Sequence, residues 1–63
     1  MTTYGERLQA AMKHRDTDRK AVAKAIGRSV QAVGDVLLGK TKAFTSENNS
    51  KAAAFLNVNP DWL

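Results

Sequence analysis

Few side chains in this 63-residue sequence have the types and spacing that chemistry requires. There is no cysteine, and the one histidine, His14, sits between Lys13 and Arg15. No Ser/His/Asp set, metal-ligand spacing or glycine-rich phosphate loop accompanies it. Catalysis requires at least two positioned groups, so neither an enzyme nor a bound cofactor or metal is expected. His14 reads most simply as a surface or phosphate-side residue. Cationic chemistry is what the chain holds in quantity. Ten Lys and Arg stand against six Asp and Glu, giving a net charge of +4 and a pI near 9.9. The charge is uneven: positions 13, 15, 19, 20, 24, 28, 40 and 42 are basic, against Asp16, Asp18 and Asp35 in the same stretch. The rest of the chain is nearly neutral. A basic excess concentrated in this way suits neutralisation of phosphates on a polyanionic partner. The plainer alternative is a solvated basic surface, so charge alone does not decide.

Those charges need a scaffold, and residues 18–39, DRKAVAKAIGRSVQAVGDVLLG, provide it. Val22, Ala23 and Ile26 recur at helical spacing, and Gly27 stops the run. Ser29 then caps a second stripe of Val33, Val36 and Leu37 that ends at Gly39. Helices this short cannot each build a core, so they must pack closely on one another. Ala21, Ala23 and Ala25 offer side chains small enough to allow it. Two short helices joined by a glycine turn make a helix-turn-helix, whose second member is shaped to enter the DNA major groove. The spacing predicts these helices over residues 19–26, with Asp18 as cap, and 30–38.

A helix over residues 4–14 precedes the pair. Thr3 and Glu6 are spaced as a capping box. Tyr4, Leu8, Ala11 and Met12 share the face expected to be core, while Lys13, His14 and Arg15 complement the dipole at the far end. Gly5 falls in the first turn, where glycine costs less than in a helix interior. Asp16 and Thr17 form the break. Residues 39–45 are a loop rich in Lys and Thr, followed by a helix capped by Thr45 or Ser46 and running to Leu56, with Ala53 and Leu56 buried. Asn57 closes it in left-handed geometry. A fifth short turn of helix starts at Asn59, with Pro60 at its first position. The expected architecture is all-α, a compact bundle of about five short helices in one domain over residues 1–63. No apolar run approaches a membrane span and no signal-peptide core is present. Lack of cysteine suits a reducing cytoplasm.

With these residues in place, the chain resembles the DNA-binding domain of the lambdoid phage repressor and Cro family, part of the wider Xre-like helix-turn-helix group. Val22–Ala23, Ile26–Gly27, Ser29, Gln31, Val33 and Val36 carry the resemblance. The GKTK of residues 39–42 and the ending at Leu56, Val58, Asp61, Trp62 and Leu63 extend it over nearly the whole chain. The resemblance implies a lambda-repressor-like fold and places Val30, Gln31 and Asp35 at base-reading positions, with Ala32 and Gly34 close by. Gln31 is the strongest reader, since its amide can bond bidentately to adenine N6 and N7. Its plain alternative is a surface glutamine. Val30 replaces the usual polar residue. Its methyls could meet a thymine methyl, but it also lies three residues before Val33, so burial and base contact both stand open. Asp35 can accept from cytosine N4 yet is repelled by phosphate, or it pairs with a nearby Lys or Arg. Gly34 costs its helix about 1 kcal/mol relative to Ala, and its expected use is close approach of the helix to DNA.

The phosphate contacts expected are Arg19, Arg28, Ser29, Lys40, Thr41 and Lys42. Arg19 opens the second helix, where outward amides and the dipole favour an anion. It stands where the family has a glutamine that braces the recognition helix, and it can replace the phosphate contact but not the neutral brace. Gly39 is small enough to let the backbone amides after it reach the sugar-phosphate chain. Lys20, Lys24 and Lys51 are assigned to solvated faces. Many relatives bury an ion pair between the first and third helices. Met12 and Leu37 stand at those two positions here. Losing both charges together is often neutral or stabilising, and a Met12–Leu37 contact is expected in their place.

The resemblance therefore implies a phage-type transcriptional repressor that binds double-stranded operator half-sites, with a second copy of itself on DNA, in the cytoplasm of a bacterial host and associated with its nucleoid. Off DNA, the polar surface of the fourth helix predicts a monomer. The final Trp62–Leu63 pair raises the expectation of an N-terminal fragment of a longer repressor. A complete Cro-like or antitoxin-type regulator is the alternative, and a protein-interaction module reusing the fold is the alternative of another class.

Overall fold

Each helix starts where a side-chain oxygen takes up a loose backbone amide and stops where the chain turns left-handed. The computed structural model describes residues 3–63, with helices α1 (Tyr4–Arg15), α2 (Arg19–Ile26), α3 (Val30–Leu38) and α4 (Ser46–Leu56). At α1, Thr3 Oγ1 accepts from the Glu6 amide at 3.2 Å while Glu6 Oε1 accepts from the Thr3 amide at 3.1 Å, a complete capping box. Asp18 Oδ1 takes the Ala21 amide at 2.9 Å, Ser29 Oγ the Ala32 amide at 3.1 Å and Thr45 Oγ1 the Asn48 amide at 3.3 Å. Such caps contribute about 1 kcal/mol each. The helices end on Asp16, Gly27, Gly39 and Asn57, all with positive φ. Thr45, not Ser46, is the cap of α4. Helix α1 runs one residue beyond the expected end because Asp16 itself takes the left-handed position, which Asp tolerates better than most residues.

The helices close over one apolar core. Leu8 and Met12 enter it from α1, Val22 and Ile26 from α2, Val33 and Val36 from α3, and Ala53 and Leu56 from α4. Helix α3 packs on both α1 and α2, while α4 packs on α2 and more lightly on α1. Gly5 sets the crossing of α1 over α3: a Cβ there would lie 2.5 Å from the Val36 carbonyl oxygen and 3.2 Å from that of Leu37. Among the described residues the architecture is all-helical, as expected, but with four helices. The fifth is a single turn in which the Trp62 amide donates to the Asn59 carbonyl and the Asp61 amide to Asn59 Oδ1, both at 2.9 Å. The Asn59 cap forms, yet the residues after it complete only one turn, too few for helix propagation. No helix among the described residues is long and apolar enough to cross a membrane.

Polar contacts tie this last turn down. Tyr4 Oη donates to Asn49 Oδ1 at 2.6 Å, and Asn49 Nδ2 donates to the Pro60 carbonyl at 3.1 Å. Arg7 Nη2 donates to the Leu63 carbonyl at 2.9 Å, and the Leu63 side chain is buried. The Tyr4 ring meets Phe44 edge-on, with centroids 5.8 Å apart. Burial pushes the Tyr4 hydroxyl up from 10.0 to about 12, against the smaller opposing effects of the Phe44 backbone and Arg7. The folded chain thus favours the neutral phenol. This contribution to stability is complete below the unfolded value and is lost as pH rises through the folded one. Wild-type stability should therefore fall between about pH 10 and 12 more steeply than that of Tyr4→Phe, which has no phenol to ionise. Urea unfolding of both proteins across that window checks it, and parallel curves would remove Tyr4 as the cause.

Candidate nucleic-acid interface

Helix α3 has a packed side and an open side, and the division decides which residues can meet a ligand. Val33, Gly34 and Val36 are buried, and Ala32, Asp35 and Leu37 are half-buried. Gln31 is exposed, Val30 keeps 43% of its surface and Leu38 keeps 72%. At Val30, where burial and base contact both stood open, the side chain is partly exposed on the first turn of the helix. Asp35 takes part in no ion pair among the described residues.

Arg19, at the start of α2, reaches across to α3. Its Nη1 lies 3.2 Å from where a Cβ on Gly34 would sit. Gly34 is buried and was expected to permit close approach to DNA. Within the chain, the group that comes close to it is the Arg19 guanidinium. Arg19 therefore supplies a contact between the two helices, made by a charged group and not by the neutral amide of the family's glutamine. Asp18 already occupies the Ala21 amide at this end of α2, and the exposed Arg19 side chain is a further group able to meet an outside anion.

The loop after α3 calls for a correction. The Asp35 carbonyl accepts from the Lys40 amide at 2.9 Å and the Thr41 amide at 3.2 Å, and Gly39 turns at φ 83° to allow it. These bonds satisfy the helix end, so the Lys40 and Thr41 amides are not free for phosphate. The Lys40, Thr41 and Lys42 side chains remain, all exposed. Arg19 and Arg28 are exposed too, and none of these cations is held in an ion pair among the described residues. Ser29 Oγ accepts from Ala32, which leaves its own proton for an outside acceptor. Lys51 lies apart from this group, 3.4 Å from Glu47 on α4. An exposed pair of that kind contributes little.

Between the end of α1, the start of α2 and α3 runs a cleft lined in part by Lys13, Arg19, Lys20, Val30 and Leu38. Met12 and Leu37, expected in contact, both line it, Met12 buried and Leu37 half-buried against the core. Leu38 is the residue the sequence reading passed over. Its phase carried the signal, since it lies seven residues after Gln31 and so on the same side of the helix. A second apolar cleft, lined by Ala10, Ala11, His14, Val58 and the exposed Trp62, lies between α1 and the last turn. Neither a protein-family model, a curated protein nor a solved structure matches this chain.

Proposed function

We propose that this chain is a sequence-specific DNA-binding protein, a phage-type transcriptional repressor whose α2 and α3 act as a helix-turn-helix. Helix α3 lies in the major groove of operator DNA with its N-terminal turn toward the bases. The observation that carries the reading is the exposed Gln31 on that turn, accompanied by exposed cations that make no ion pair among the described residues. Gln31 reads a base, Val30 and Asp35 lie beside it, and Arg19, Arg28, Ser29, Lys40, Thr41 and Lys42 hold the phosphates. Two copies occupy half-sites one helical turn apart. Their small mutual contact is supplied by Trp62 and Val58, which border the second apolar cleft. A complete Cro-like or antitoxin-type regulator would use the same surface.

A protein-interaction module is the second reading, and the exposed Leu38 is the observation that favours it. Salt separates the two. DNA binding through several phosphates weakens steeply as salt rises because counterions are released, whereas an apolar protein interface responds little. Selection of bound sites from random duplexes, followed by titration across salt concentrations, is the test. Gln31→Ala is expected to relax the preference at one base pair while leaving nonspecific affinity nearly intact. An equal loss for every duplex, with the preferred base unchanged, would remove Gln31 as a reader. Absence of any salt-sensitive duplex binding would overturn the repressor reading.

A further inference from the structure

We infer that the cleft between α1, α2 and α3 docks an acidic amphipathic helix of a partner protein, and that this partner competes with DNA. The floor of the cleft is apolar: Met12 and Leu37 line it beside Val30, and Leu38 leaves 72% of its surface uncovered. Its edge carries Lys13, Arg19 and Lys20, all exposed and none in an ion pair among the described residues. Two carboxylates share that edge: Asp18, engaged as the cap of α2, and Asp16, which ends α1. A phosphate backbone answers the cations but offers nothing apolar to Leu38. A helix with an apolar stripe beside an acidic one answers both, the first by burial and the second by charge. A second copy of this chain does not have that chemistry. Its net charge is +4, and none of its four helices holds more than one carboxylate. Arg19 sets the consequence. It lines this cleft and is also assigned to a DNA phosphate, so the two partners cannot hold it together. The docking is independent of the DNA-binding reading, and the competition rests on it.

The probe is a fluorescent peptide of about 15 residues, long enough for a marginal helix, with leucines on one helical face and glutamates on the others. Titrated with the 63-residue chain and followed by anisotropy, it is expected to bind. A version with lysine for glutamate should not, and neither should one of the same composition with its leucines out of phase. Leu38→Ala should weaken binding about tenfold, the value of roughly two buried methylenes. Lys13→Ala and Lys20→Ala should each cost about threefold, as exposed ion pairs do. All three side chains are exposed, so none of these variants threatens the fold. In a second titration the peptide should displace duplex DNA from the wild type, and far less readily from Leu38→Ala. No binding by the wild type would overturn the docking, as would equal binding of either control peptide or undiminished binding by Leu38→Ala. Peptide and duplex held at the same time would overturn the competition. If the peptide bound but no duplex did, the docking would stand and the DNA-binding reading would fall.

Discussion

Gly5→Ala is expected to lower the unfolding free energy by about 3 kcal/mol, the upper part of the range for overpacking a well-filled contact. The added Cβ would sit 2.5 Å from the Val36 carbonyl oxygen. That atom belongs to the α3 backbone, so no flexible side chain can yield, and the helices must separate. Separation opens the contact between Leu8 and Met12 on α1 and the core residues of α3. Better helix propensity returns at most about 1 kcal/mol. A chain of this size holds only about 3–9 kcal/mol in total, so the melting temperature should fall by more than about 10 °C. Gly27→Ala is the instructive comparison. A Cβ at Gly27 meets nothing within 4 Å, but its φ of +72° is strained for alanine, and a loss of about 1 kcal/mol is expected. Thermal unfolding followed by circular dichroism ranks the two. If Gly5→Ala were as stable as the wild type, α1 and α3 would not be fixed by backbone contact at this crossing.

The contrast between these glycines also explains what could be read from the sequence. Gly27 and Gly39 stop helices for reasons confined to a few neighbouring residues, and so do the caps Thr3, Asp18 and Ser29. All were legible. The exposed position of Gln31 was legible too, because Val33 and Val36 fix the phase of α3. Gly5 was not, since its necessity comes from carbonyls in a helix far along the chain. Gly34 was read as a place for close approach to DNA, and the approach of Arg19 was not foreseen, because that side chain belongs to the preceding helix. The last turn shows the opposite failure. Asn59 and Pro60 give a true local start signal, and the cap bond forms, but a start does not create the length that a helix needs. The Lys40 and Thr41 amides were within reach of sequence reasoning. A glycine in left-handed geometry after a helix directs the following amides back to the last carbonyls, and Asp35 receives them here.

Arg19 and Lys40 carry the largest expected effect on binding. If each neutralises one phosphate, replacing either with Ala should reduce the slope of log affinity against log salt by about one unit. At about 0.1 M salt that corresponds to roughly an eightfold loss per residue on every duplex, and roughly sixtyfold for both together. The two differ in what else they touch. Lys40 is exposed and its side chain makes no ion pair among the described residues, so Lys40→Ala should leave the preferred bases unchanged. Arg19 also packs over Gly34, and removing it frees α3 on that side. Arg19→Ala should therefore weaken discrimination between sequences as well as overall affinity. Arg19→Lys separates the roles, since lysine keeps the charge but lacks the planar group lying on the glycine. It should retain the wild-type salt slope and lose part of the base preference. Salt titrations on preferred and random duplexes measure both quantities. Unchanged slopes in Arg19→Ala and Lys40→Ala would take both residues off the phosphate backbone. A full base preference in Arg19→Lys would mean that charge alone, and not the contact across to α3, accounts for the arginine at this position.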